Sequence, residues 1–249
     1  QGLCPPVRRR ITPTAAPGRT HGFRLISTIP RTPVYIVCSP RPDVGKTLLS
    51  RVLSEFMLLQ NGSVLAFDIN LREPSLLDFL PRTTETASIA DTHSQIALMD
   101  RLIVNDGVAK VIDLGLHAFD DFFRLVDEIG FMKEAIRRGI EPVVLFIPDS
   151  TRTSSNAWAT LRKTFPVSPL IAIDNEHVLH GEAPKDFAGV RPLHIAALPA
   201  FLRSIVQRTN FSFTHYLRTA QDSSSELHQW TRANYTKFRN LEKRLKLQD

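Results

Sequence analysis

CSPRPDVGKTLLSRVL, residues 38–53, decides how the rest of the chain is read. Its second half, Gly45-Lys46-Thr47 ahead of an apolar-periodic run, is what an anion-binding turn requires. Such a turn needs a row of backbone N–H groups at a helix N-terminus, one lysine and one hydroxyl. Its first half departs from the strict GxxxxGK[ST] spacing, because Pro40 stands where the first glycine is expected. Pro40 and Pro42 offer no N–H, yet both precede the donors of residues 43–47. Asp43 is the more awkward residue, since an acid is repelled by a polyphosphate; its alternative role is to cap the following helix.

The flanking sequence supplies the context that the turn requires. VYIVCS (34–39) is a short apolar run fit for a buried strand, and KTLLSRVLSEFMLLQ (46–60) reads as a helix. Further strands are expected at SVLAFDI (63–69), KVIDLG (110–115), PVVLFIP (142–148) and SPLIAID (168–174), with a short sixth near PLHIAAL (192–198). Helical spacing recurs in SQIALMDRLIVND (94–106), DDFFRLVDEIGFMKEAIRRG (120–139) and SSNAWATLRKTF (154–165). Strands apolar throughout, alternating with amphipathic helices, predict an α/β fold: a doubly wound, mostly parallel sheet covered by helices on both faces, with right-handed crossovers. Residues 33–200 are expected to form this domain, preceded by a leader (1–32) and followed by a helical extension (201–249).

Two further strand ends present carboxylates. Asp68 closes SVLAFDI and Asp113 lies near the end of KVIDLG, at the sheet edge where open α/β folds bind ligands. Each has two readings. Asp68 either orders water or holds a cation through water, or it caps the next turn. Asp113 either supports a Mg²⁺ shell or is a strand-end turn residue.

Taken together, PRPDVGKT, FDINLREPSL and VIDLG, in this order and spacing, resemble the deviant Walker ATPases, the ParA/MinD group of P-loop NTPases. The group's loop reads roughly xKGGxGKT. Its signature lysine falls on Arg41, its two glycines on Pro42 and Asp43, and its GKT on Gly45-Lys46-Thr47. The DxDxRxPSL element matches Asp68 to Leu76, with Asn70 in place of the second acid, and the Walker B aspartate falls on Asp113. The resemblance spans roughly residues 33–176 and implies an ATP-dependent switch that dimerises around two nucleotides. It implies ATP and Mg²⁺ as cofactors. Asp43, Val44, Gly45, Lys46, Thr47 and Leu48 would hold the nucleotide, and Thr47 and Asp113 the metal. Lys46, Asp68 and Arg41 would serve catalysis. Arg41 keeps the charge of the signature lysine but not its shape, because a planar fork is not an ammonium. In the family an Asn at the fifth strand end contacts adenine, which makes Asn175 a candidate; a turn residue is the other reading, and His177 reads as a surface residue. Dethiobiotin synthetase-like enzymes of the same superfamily have loops similar to GTDTxVGKT, so an acid near this position is compatible with ATP. Nothing downstream resembles their substrate site.

The charge is segregated. The chain carries a net +6, but its 31 cations and 25 acids are unevenly placed. Residues 1–42 hold seven Arg and no acid, residues 43–200 are net acidic, and residues 201–249 hold nine Lys and Arg against four acids. Basic ends on an acidic body fit an arm for DNA or an anionic membrane, or equally a solvated leader. The leader also has the composition of an organelle transit peptide or of sequence upstream of a start. Two cysteines, Cys4 and Cys38, exclude a disulfide framework, and no apolar run approaches the ~18 residues of a membrane span. A cytoplasmic protein is expected. ELHQWTRANYTKFRNLEKRLKL (226–247) sets Leu227, Trp230, Phe238, Leu241 and Leu245 near one helical face. That face would cover the core, lie on a membrane, or seat a protein partner, the last interrupted by Asn234.

Overall fold

A computed structural model describes Gly2, residues 31–70, 75–180, 187 and 191–247. The leader apart from Gly2, Arg31 and Thr32, and the Leu71–Pro74 part of the DINLREPSL element, lie outside the described residues. Seven strands form one parallel sheet in the order β3-β2-β4-β1-β5-β6-β7. They are β1 (Thr32–Cys38), β2 (Val64–Ile69), β3 (Thr84–Thr86), β4 (Ala109–Leu114), β5 (Ile140–Phe146), β6 (Leu170–Asn175) and β7 (Leu193–Ile195). The chain leaves β1 toward β2 and later leaves β5 toward β6, so β1 and β5 flank the point where the winding reverses. Their register runs from Thr32 opposite Ile140 to Cys38 opposite Phe146, which brings both C-terminal loops to the same edge.

The fold is doubly wound, as the apolar strands require. Val34, Ile36 and Cys38 of β1 enter one core, whereas Tyr35 and Val37 enter the other, following the two-residue period of a strand. The first face is covered by α3 (Thr92–Leu102), α4 (Phe119–Glu128), α5 (Phe131–Arg137) and α6 (Arg152–Thr164), with Leu98, Phe122, Phe131 and Trp158 buried against it. The second is covered by α1 (Lys46–Asn61), short α2 (Leu76–Phe79), α8 (Ala200–Val206), α9 (Phe213–Thr219) and α10 (Glu226–Lys246). The four-residue α7 (Glu176–Leu179) follows β6.

Two local expectations change, and one open choice is resolved. Residues 120–139 are not one helix: Gly130, at φ +64°, ends α4 and starts α5, a left-handed turn that glycine adopts without steric cost. The edge strand β3 was not expected, because three residues of sequence TET carry no apolar signal. The C-terminal amphipathic helix covers the core. Leu227, Trp230, Phe238, Leu241 and Leu245 of α10 are buried in the cluster that contains Leu53 and Phe56 of α1. Of the three readings of this apolar face, the structure shows the one in which it covers the core. Asn234 lies on this buried face and satisfies its Nδ2 on the Trp230 carbonyl (2.9 Å).

Two polar anchors fix α1 beneath α8–α10. Arg51 is 1% exposed, pairs with Glu55 (3.5 Å), and donates to the carbonyls of Val206 and Phe211. Its guanidinium lies 4.3 Å from the Phe79 ring centroid and 4.9 Å from that of Phe213, a cation–π cage. Glu55 accepts from the Ser212 hydroxyl (2.6 Å) and the Thr214 N–H (2.9 Å). Among the described residues no helix is long and apolar enough to cross a membrane.

Because Phe238 is wholly buried against Phe56, Phe238→Ala is expected to lower the unfolding free energy by about 3–5 kcal/mol. A urea titration showing less than ~1 kcal/mol would contradict the role given to α10.

Candidate functional site

The C-terminal edge of β1 continues into a loop whose geometry is set by two left-handed residues, Asp43 at φ +52° and Gly45 at φ +87°. Gly45 occupies the N-cap position of α1, with no side chain capping the helix. Asp43 therefore does not act as the cap its sequence position allowed; its φ turns the backbone instead. The first-turn N–H groups of a 16-residue helix are thus offered to this edge, with the positive end of its dipole. A methyl group on Gly45 would meet Asn175 Nδ2 at 2.9 Å, so the glycine is required by its φ and by close approach together.

Lys46 and Thr47 open the helix. Lys46 Nζ donates to the Arg41 carbonyl (2.7 Å), closing the loop on itself. Burial holds the Lys46 ammonium below its usual pKa, partly offset by the carboxylates of Asp113 and Asp43. Thr47 Oγ1 donates to Asp113 Oδ2 (2.7 Å) and lies 3.2 Å from the Ser75 hydroxyl. One turn on, Ser50 donates to Asp113 Oδ1 (3.0 Å). Asp113 is thereby placed by β4 and received by α1. Burial pushes its carboxyl up to about 6, the Thr47 and Ser50 hydroxyls pull it down, and the neighbouring Asp68 adds to the rise.

Asp68, next to last in β2, lies beside Asp113 in register with it. It is 0% exposed, and its oxygens accept from the N–H groups of Asn70 (3.2 Å), Ser75 (3.0 Å), Leu76 (2.9 Å) and Leu77 (3.4 Å). Of its two readings, the structure shows the turn and helix cap, for the start of α2. Burial still raises its carboxyl above the ordinary range, against these four N–H groups.

The opposite side of the loop is braced by residues that sequence reasoning ranked lower or missed. Arg41 Nε donates to Asp149 Oδ2 (2.8 Å), joining the loops after β1 and β5 across the winding reversal. Asp149 is itself oriented by the Thr151 N–H (3.0 Å) and hydroxyl (2.6 Å). Asn175 Nδ2 donates to the Val44 carbonyl (2.9 Å), while its Oδ1 accepts from the His177 N–H (3.2 Å). Asn175 is thus a loop brace and a turn residue at once. Arg41, Asp43, Val44, Gly45, Lys46, Thr47, Leu48, Asp113 and Asn175 all meet at this edge. Ser50, Ser75 and Asp149 join them unforeseen. Ser75 lay within the matched DxDxRxPSL element without a role given to it, and Ser50 lies three residues after Thr47 on the same helical face.

Chemically, the edge combines uncapped helix N–H groups, a partly desolvated ammonium, and a hydroxyl resting on a buried carboxylate. Thr47 and Asp113 are hard oxygen donors, suited to Mg²⁺ when a ligand's phosphates and water complete the shell. Among the described residues no group of three His, Cys, Asp or Glu converges as a cage sufficient by itself.

Two outcomes test this geometry. Gly45→Ala is expected to cost about 1–2 kcal/mol in thermal or chemical unfolding, from the left-handed φ and the Asn175 clash; a neutral result contradicts the brace. The raised Asp113 carboxyl stabilises the fold when protonated, so its contribution is complete below about pH 4 and is lost as pH rises through about 6. Relative to Asp113→Asn, the wild type should therefore lose on the order of 3 kcal/mol between those values. Parallel pH profiles would contradict the burial argument. The chain matches no model of a known protein family and no curated protein significantly.

Proposed function

We propose that the chain is a nucleotide-responsive switch of the ParA/MinD kind, which binds ATP with Mg²⁺ at the start of α1 and hydrolyses it slowly. The observation that carries this reading is the uncapped N-terminus of α1, opened by left-handed Gly45, with Thr47 bonded to buried Asp113 on the neighbouring strand. The N–H groups of residues 43–47 would receive the β-phosphate. Lys46 would exchange the Arg41 carbonyl for phosphate oxygens, and Leu48 would contribute its N–H from the first turn. Thr47 would hold Mg²⁺, with Asp113 behind it orienting the hydroxyl and keeping a negative charge near the ion. The ion supplies neutralisation of charge on the terminal phosphates.

Slow turnover follows from what the other candidates are doing. Asp68 is enclosed and bonded to the N–H groups of Asn70, Ser75, Leu76 and Leu77, an engagement that suits it to capping the start of α2 better than to activating water. Arg41 is tied to Asp149 within its own chain. These two engagements also favour a second reading, an interaction module that retains nucleotide binding without turnover. A small-molecule synthetase is a third reading, favoured by no group found at the edge. In the switch reading the partners are a second copy of the chain, assembled by nucleotide, and a protein whose identity the site does not encode. DNA or an anionic membrane would be met through the basic ends, in a cytoplasmic setting.

Lys46→Ala is expected to weaken Mg-ATP binding about ten- to hundredfold, as loss of a charged hydrogen bond does. Calorimetry together with size measurement checks it. A wild type that does not bind Mg-ATP refutes the nucleotide reading. Binding with no change in size refutes the switch and leaves a monomeric binder.

A further inference from the structure

Arg203 lies on α8, 155 residues beyond Leu48 in sequence, yet both residues line the same two cavities. One cavity is bounded by Gly45, Asn175 and His177, the other by Thr47, Ser75 and Phe79. Arg203 therefore lies across the first turn of α1, over the residues that follow the phosphate-loop candidate. Its Nη1 is 2.6 Å from His177 Nε2 and 3.3 Å from Nδ1. Burial and the Arg203 charge hold the His177 imidazole below its usual pKa, so the ring is a neutral acceptor and does not compensate the guanidinium. Among the described residues no carboxylate pairs with Arg203, and the side chain is half-buried. Six arginines of this body do pair with a carboxylate, Arg41 on Asp149, Arg51 on Glu55, Arg101 on Glu85, Arg124 on Asp121, and Arg137 and Arg138 on Glu134; what distinguishes Arg203 is its place beside the first turn of α1. A guanidinium bonded to a neutral ring, and lining the same cavities as the first turn of α1, is placed to meet an anion delivered by a ligand.

We propose that Arg203 is a nucleotide-binding residue that pairs with the phosphate nearest the sugar, steadied by His177. This rests on the nucleotide reading of the α1 edge and extends it. A nucleotide whose terminal phosphates sit on residues 43–47 carries its innermost phosphate toward Leu48, the residue that the Arg203 cavities share. The loop thereby holds the outer phosphates, and α8 closes on the inner one from the C-terminal part of the chain. The base is not read by this contact, so Arg203 sets affinity for nucleoside phosphates without choosing among bases.

The test is to measure Mg-ATP and Mg-ADP affinity for the full chain and for Arg203→Gln, Arg203→Lys and Lys46→Ala. Arg203→Gln should weaken ATP and ADP by the same factor, about ten- to hundredfold, because both carry the inner phosphate. Arg203→Lys should recover part of the loss through its charge. Lys46→Ala should penalise ATP more than ADP. The melting temperature of ligand-free Arg203→Gln should stay at the wild-type value, which separates a ligand contact from a structural one. Wild-type affinity in Arg203→Gln, or a loss confined to ATP, overturns the assignment while leaving the nucleotide reading intact. A wild type that binds neither nucleotide overturns both.

Discussion

A carboxylate without water must be satisfied by the chain, and Asp113 is satisfied from a single helix. Its two oxygens take hydroxyls one turn apart on α1, from Thr47 and Ser50. That arrangement fixes the rotation and the height of α1 over β4, because two donors at i and i+3 reach one carboxylate in only one register. Everything else at the edge follows from where α1 begins. Gly45 must turn left-handed to deliver the chain into it, and Lys46 must point back toward the loop. An unpaired buried donor costs about 1–3 kcal/mol, so slippage of the helix is resisted at this end by the hydroxyls alone.

The far side of the same helix is held by a different device. Arg51 and Glu55 are buried, and such a pair gains stability only when its remaining donors and acceptors are met. Here the carbonyls of Val206 and Phe211, the Ser212 hydroxyl and the Thr214 N–H meet most of them, within a cage of phenylalanines, while Arg51 Nε and Glu55 Oε1 have only each other at 3.5 Å. The segment carrying α8 and α9 is therefore attached to α1 by charge as well as by apolar burial. Movement at the start of α1 and movement of the C-terminal helices are consequently not independent.

The architecture was legible because every long strand reads apolar along its whole length, which only a sheet covered on both faces permits. Gly45-Lys46-Thr47 and Asp113 were legible for a related reason: they stand directly after or within such runs. What stayed hidden depends on loops meeting across long stretches of chain. The Arg41–Asp149 pair spans 108 residues and the Asn175–Val44 bond spans 131, and no local pattern marks either. Arg51 was hidden by its chemistry, since a charged residue on an amphipathic helix is ordinarily assigned to solvent. The Gly130 break was visible as a glycine but not as a boundary, because apolar spacing continues on both sides of it. Asp68 was placed at the right edge, whereas its occupation by backbone N–H groups is set by the fold of residues 75–77.

The bond from Lys46 to the Arg41 carbonyl sets the terms on which this ammonium would meet an anion. A lysine free in solvent gains a contact when an anion arrives. This one trades an internal partner for an external one, while the loop carbonyl is left to find water. The exchange is close to neutral for a weakly charged guest and favourable for a multiply charged one. Were an anion bound at this edge, its advantage would accordingly grow with its charge more steeply than a count of its contacts foretells.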